Sequence, residues 1–187
     1  MPTVREALLE AASTALAGRA WSEVRMVEVA AAAGVSRQTL YNEFRSKEGL
    51  ARALVRREAD GYLAGVDEAL ARAGRDGGDA GDRFAAAAGW TLDRARRSPL
   101  VRAALAGDGA PRPWLTPLPD LAGALRARTA ASLAGAFPRL PAEDVAWACD
   151  TAIRLTVSYV LVPAPSDDEA CARIARAGRS LLARRHR

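Results

Sequence analysis

The chain has 187 residues, half of them hydrophobic yet only 5% aromatic, and alanine alone accounts for 44. Alanine and arginine favour helix and strand-forming residues are scarce, so the fold class is all-α; the single histidine, His186, excludes multi-histidine zinc sites, di-iron bundles and histidine-dependent nucleophilic catalysis. The net charge of +5 is a property of the tail, because residues 171–187 hold six arginines and no acid while residues 1–170 hold 21 bases against 22 acids, so it does not argue for nucleic acid.

Thr3-Val-Arg-Glu6 reads as a capping box that opens a first helix, with Val4, Leu8, Ala12, Ala15 and Leu16 at its apolar positions and an end near Gly18. A second helix covers residues 26–33 and is stopped by Gly34. Ser36 caps a short third helix over residues 37–44, with Leu40 and Phe44 on its inner side. Ser46 caps a fourth, which the spacing of Leu50, Leu54, Ala59, Leu63, Val66 and Leu70 carries to about residue 73. Residues 74–82 form a glycine-rich loop whose three aspartates lack the alternating spacing and terminal glutamate of a calcium loop. A fifth helix is expected over residues 82–97, and Ser98-Pro99 begins a short sixth. Residues 108–119 hold four of the ten prolines and read as irregular. A seventh helix follows over residues 120–136 and an eighth over residues 141–161. A capping box from Ser166 to Glu169 opens a ninth, for about nine helices in all.

The most apolar stretch, residues 145–162, carries Asp150 and Arg154 near its middle. Each would cost roughly 2.5–3.5 kcal/mol at a bilayer centre, so this is expected to be a buried helix and not a membrane span. No charged-then-apolar leader is visible, and a cytoplasmic protein without membrane association is expected. Cys149 and Cys171 have no metal-ligand spacing and read as thiols of an intracellular protein; no metal site and no cofactor is expected.

The spacing around Gly34-Val35-Ser36 carries the function. A helix, a glycine that permits a left-handed turn, a core-plugging valine, a capping serine and a second helix make a helix-turn-helix over about residues 25–44. The second helix of such a pair presents its first residues to the major groove. Here they are Arg37, Gln38, Thr39, Tyr41 and Asn42, types that read guanine, adenine, a thymine methyl or phosphate. The neighbourhood is also locally cationic: residues 36–57 hold six bases, including the chain's single lysine, against Glu43 and Glu48.

The full string from Ala31 to Leu50, AAAGVSRQTLYNEFRSKEGL, resembles the signature of the TetR family of bacterial transcriptional regulators, matching G-V-S-x-x-x-L-Y-x-x-F-x-S-K-E-x-L at every specified position. The resemblance covers about residues 3–60. It implies a homodimer, usually a repressor, with an N-terminal DNA-binding domain (residues 1–60) and a helical ligand-sensing and dimerisation bundle (residues 61–187). By position it implies Arg37, Gln38, Thr39 and Asn42 at bases, and Tyr41 and Lys47 at phosphates, with Ser36 at the head of the helix. The family's usual hydroxyl cap on its second helix is replaced here by Arg25, which cannot cap but can reach a phosphate. The phrase from Gln38 to Phe44 is similar to actinobacterial members linked to alkane or fatty-acid metabolism, and the arginine-rich composition fits a high-GC genome.

Beyond residue 60 the match is to architecture only. Phe84, Trp90, Leu105, Trp114 and Trp147 are candidates to wall an apolar effector pocket, since small alanines leave space that rings only partly fill. Thr151, Leu155, Ser158 and Tyr159 on the eighth helix, with Ile174 and Leu181 on the ninth, are candidates for the dimer interface. Asp150 and Arg154, four apart, are expected to pair. No set of convergent nucleophiles, acids or ligands is visible, so the chain is not expected to be an enzyme. The expected partners are a double-stranded, palindromic operator, a second copy of the chain and an apolar small molecule that releases it from DNA. The alternative is a ligand-independent adapter or architectural regulator, which a fully packed bundle would favour.

Overall fold

The computed structural model describes residues 2–18, 20–106 and 120–183, which hold nine α-helices and one 3-10 turn. They are α1 (Val4–Gly18), the turn (Trp21–Glu23), α2 (Met26–Ala32), α3 (Arg37–Phe44), α4 (Lys47–Arg75), α5 (Ala80–Arg97), α6 (Pro99–Ala106), α7 (Leu121–Ala136), α8 (Ala142–Leu161) and α9 (Asp167–Ala183). They divide into two compact units, one up to Arg57 and the other from Glu58 onward, and α4 runs unbroken through that point.

The first unit is a three-helix head followed by the start of α4. The Thr3–Glu6 capping box forms as its sequence predicts: the Glu6 N–H donates to Thr3 Oγ1 at 3.2 Å, and the Thr3 N–H donates to Glu6 Oε2 at 2.8 Å. Leu8, Val24, Val29, Leu40, Leu50 and Leu54 are all buried. The 3-10 turn has no strong signal in the sequence, yet it buries Trp21 to 3% exposure, and the Ala20 N–H donates to Glu23 Oε2 at 3.2 Å.

In the second unit α5 is the central helix, packed against α6, α7, α8 and α9, and α9 also packs against α8. Its start differs from the expected residue 82: α5 opens at Ala80, because Asp79 is its cap. The two aspartates cap reciprocally, the Asp82 N–H donating to Asp79 Oδ1 at 3.0 Å and the Asp79 N–H to Asp82 Oδ2 at 2.9 Å. Both also take hydrogen bonds from Arg179 of α9, so these acids have structural partners. Among the described residues no group of histidine, cysteine or acidic side chains is arranged to hold a metal ion. Gly178 lets α9 approach α5, since a β-carbon there would run into the Phe84 ring. Tyr62, fully buried, hydrogen-bonds Thr91 Oγ1 at 3.0 Å, and that threonine hydroxyl lies 2.7 Å from the Ala87 carbonyl. The proline-rich residues 108–119 lie outside the described residues.

Candidate functional site

The turn between α2 and α3 forms as its residues dictate. Gly34 has φ +69°, the left-handed region, and Val35 follows half-buried with its N–H on the Ala30 carbonyl at 3.0 Å. Ser36 caps α3, its Oγ accepting from the Thr39 N–H at 3.0 Å and lying 2.8 Å from the Thr39 hydroxyl. Leu40 and Phe44 point inward at 0% and 5% exposure, which turns the opposite side of the helix outward.

That outward side carries Arg37, Gln38 and Asn42, all exposed, with Thr39 and Tyr41 half-buried. The Arg37 guanidinium lies 5.3 Å from the Tyr41 ring centroid, and Gln38 Nε2 donates to Asn42 Oδ1 at 3.0 Å. The helix ends in a tight turn at Arg45, with φ +66° and the Ser46 N–H on the Phe44 carbonyl at 2.7 Å. Lys47 opens α4. Its ammonium donates to the Ser22 carbonyl at 3.2 Å and lies 5.5 Å from the Trp21 ring, which leaves further protons for an anion. Arg25 is the residue before α2; its side chain makes no capping bond, is exposed, and comes within 4.0 Å of Glu28. One face thus gathers cations, amides and hydroxyls on a short helix whose other face is locked into a core.

The second unit rearranges the expected effector residues. Phe84 is 2% exposed and belongs to the packed core with Leu133, Ala148 and Ile174. Trp90 lies against Gly65, and its indole N–H donates to the Tyr62 carbonyl at 2.9 Å, so it is anchored to α4. Trp147 is 59% exposed on the outer side of α8 and does not line the groove described next. Trp114 lies outside the described residues. Among the described residues of the set, Leu105 lines the groove between α6, α7 and α8. This groove, of about 570 Å³, has Ala122, Ile153, Val157, Leu161 and Val162 as further apolar walls and Arg126, Asp150 and Arg154 among its polar groups. Arg154 Nε donates to Asp150 Oδ2 at 2.7 Å, the pairing its spacing predicts, and Arg126 approaches the same carboxylate at 3.8 Å. Sequence reasoning missed Arg126 and the wall on α8; the signal was there in Ile153, Val157 and Leu161, spaced four apart.

Of the expected interface residues, Ile174 is fully buried within its own chain's core and has no surface left for a partner. α9 turns this position toward Phe84, the consequence of the close approach at Gly178. Thr151, Leu155, Tyr159 and Leu181 are half-buried and Ser158 is exposed.

Residues 8–54 match the family model for bacterial regulatory proteins of the tetR family, and residues 79–179 match that for the bacterial Tetracyclin repressor C-terminal domain. The chain belongs to the TetR family. Its helix-turn-helix is therefore that of a DNA-binding transcriptional regulator, and TetR-family proteins are regulators and not enzymes. The HTH-type transcriptional regulator AlkX of Mycobacterium tuberculosis is 32% identical over 184 residues, covering 92% of this chain and 82% of that one. Among solved structures, the TetR family repressor AlkX from a Dietzia species, implicated in biodegradation of n-alkanes, aligns with a TM-score of 0.61 at 25% identity, over 94% of this chain and 96% of that one. A TetR-family regulator from Streptomyces coelicolor aligns with a TM-score of 0.66 at 19% identity, over 97% and 82% of the two chains, a likeness of fold. Among the described residues no helix is long and apolar enough to cross a membrane.

Proposed function

We propose that the chain is a repressor that binds a palindromic operator as a homodimer and leaves it when an apolar small molecule occupies the second unit. In this reading residues 1–60 hold DNA and residues 61–187 sense the effector and dimerise. Arg37, Gln38, Thr39 and Asn42 face bases, Ser36 sits at the head of the reading helix, and Arg25, Tyr41 and Lys47 hold phosphates. The exposure of Arg37, Gln38 and Asn42 over a buried Leu40 and Phe44 supports this sorting. A two-fold dimer presents two such helices, hence a palindrome.

The observation that carries the sensing half is the groove between α6, α7 and α8. Its volume of about 570 Å³ is that of a small-molecule site, and a packed bundle without such a groove would have favoured the adapter. The aliphatic walls suit an acyl or alkyl chain, and the Arg126–Asp150–Arg154 cluster suits one polar end. The Dietzia AlkX repressor, implicated in biodegradation of n-alkanes, points the same way. Ligand binding shifts DNA affinity only as far as it prefers the DNA-incompetent state, a coupling of about 1–3 kcal/mol in typical cases.

The dimer reading rests on the outer side of α8. Trp147 is 59% exposed, Thr151 and Leu155, both half-buried, follow it one and two turns on, and none of the three lines the effector groove. A second copy covering that stripe removes its apolar surface from water. The deciding experiment is operator release followed by fluorescence anisotropy while long-chain alkanes, fatty acids and acyl thioesters are titrated, with thermal shift in parallel. Release together with stabilisation by one of these classes is expected. If no apolar compound does both, the sensor reading gives way to the ligand-independent regulator.

A further inference from the structure

The two amides on α3 do not stand as separate groups. Gln38 and Asn42 are exposed, one helical turn apart, and joined by the 3.0 Å bond from Gln38 Nε2 to Asn42 Oδ1. Each amide has a carbonyl with two lone pairs and an NH₂ with two protons. Joined, they form a strip in which acceptor and donor alternate: Gln38 Oε1, Gln38 Nε2, Asn42 Oδ1, Asn42 Nδ2. Every group in the strip keeps a lone pair or a proton for one more partner. With both amides turned over, Asn42 Nδ2 donates to Gln38 Oε1 and the order still alternates. The pattern belongs to the pairing and not to the orientation of either amide.

Base pairs differ in this property. Across the major groove an A·T pair presents adenine N7, adenine N6–H and thymine O4, an acceptor, a donor and an acceptor. A G·C pair presents guanine N7, guanine O6 and cytosine N4–H, two acceptors and then a donor. The amide strip complements the first over three successive groups: Asn42 Nδ2 to N7, N6–H to Asn42 Oδ1, and Gln38 Nε2 to O4. Against the second, an amide carbonyl meets a guanine acceptor with no proton between them. Arg37 lies over the Tyr41 ring and the Thr39 hydroxyl pairs with Ser36, so neither is joined to this strip.

We infer that Gln38 and Asn42 form one reading head for a single A·T pair, in either orientation, in each half-site. This rests on the proposal that α3 lies in the major groove. The pairing exists before DNA arrives, so less side-chain freedom is lost on binding than with two independent amides.

The test is selection of bound sites from a randomised duplex library by the full-length protein, by Gln38→Ala, by Asn42→Ala and by the double variant. The wild type is expected to select an A·T pair at one position of each half-site. Both single variants should weaken the preference at that same position and at no other, Asn42→Ala, which removes both adenine contacts, by about tenfold and Gln38→Ala, which removes the thymine O4 contact, by less. The double variant should lose little more than Asn42→Ala alone, and less than the two single losses combined. Asn42→Asp, which keeps an acceptor and removes the donor, should lose the A·T preference there in favour of pairs offering cytosine N4–H. Both side chains are exposed, so unchanged melting temperatures accompany these effects. Flattening of two different positions, additive losses, or a selected G·C pair overturns the inference while leaving groove reading intact. Recovery of no motif by the wild type overturns both.

Discussion

Arg45 holds the strain between the reading helix and α4. Its φ of +66° and the Ser46-to-Phe44 bond at 2.7 Å describe a γ-turn of the rare, strained kind, and it is the one non-glycine residue with positive φ among those described. Arg45→Gly is expected to stabilise the protein by about 1 kcal/mol, visible as a higher urea midpoint with unchanged slope. Lys47 acts differently, because its ammonium faces the Ser22 carbonyl on one side and is open on the other. Lys47→Ala should weaken binding to all DNA sequences alike and lower the salt dependence by roughly one phosphate contact per subunit. A change of base preference in that variant would move Lys47 out of the phosphate set. Residues of this kind were legible in the sequence where a local rule acts, as at Gly34 and Ser36. The strain at Arg45 was not, since arginine carries no signal for positive φ.

At the scale of elements, the packing of α9 on α5 depends on two features far apart in the chain. A β-carbon at residue 178 meets the Phe84 ring, and Phe84 is buried with no room to retreat. Alanine gains up to about 1 kcal/mol of helix propensity over glycine, but overpacking costs about 1–3 kcal/mol. Gly178→Ala should therefore destabilise by about 1 kcal/mol in a thermal or urea melt. The second feature is Arg179 on Asp79 and Asp82, at 2.7 and 2.5 Å. The hydrogen bond from Arg179 is the main cause that lowers the Asp79 pKa from 3.8 to about 2; burial opposes it, and backbone N–H groups and the Arg179 charge add to the lowering. A carboxylate with a depressed folded pKa contributes stability that is present above pH 3.8 and is lost as pH falls through about 2. Arg179→Ala should melt below the wild type at neutral pH, with the gap closing across that acid window; a gap independent of pH would assign the loss to packing alone. Asp79 is more than half exposed, so the effect is smaller than that of a buried pair.

At the scale of the whole molecule, the outer stripe of α8 makes association testable. Leu155→Glu is expected to give monomers or aggregate in sedimentation and to abolish binding to a two-fold operator, while a single half-site is still bound weakly. A native protein that is monomeric at micromolar concentration would remove the dimer from the proposal. Helix count, the all-α class and the helix-turn-helix were determined by the sequence alone, because caps, glycine stops and helix propensity act within a few residues of one another. Which residues face inward on α8 and α9 was decided only by the tertiary structure. In helices this rich in alanine, the commonest residue fits a core and a surface equally well, so periodicity gives a weak phase. Packing set that phase: Ile174 went into the core, Trp147 went outward, and a groove opened beside Leu105 that Phe84, Trp90 and Trp147 do not line.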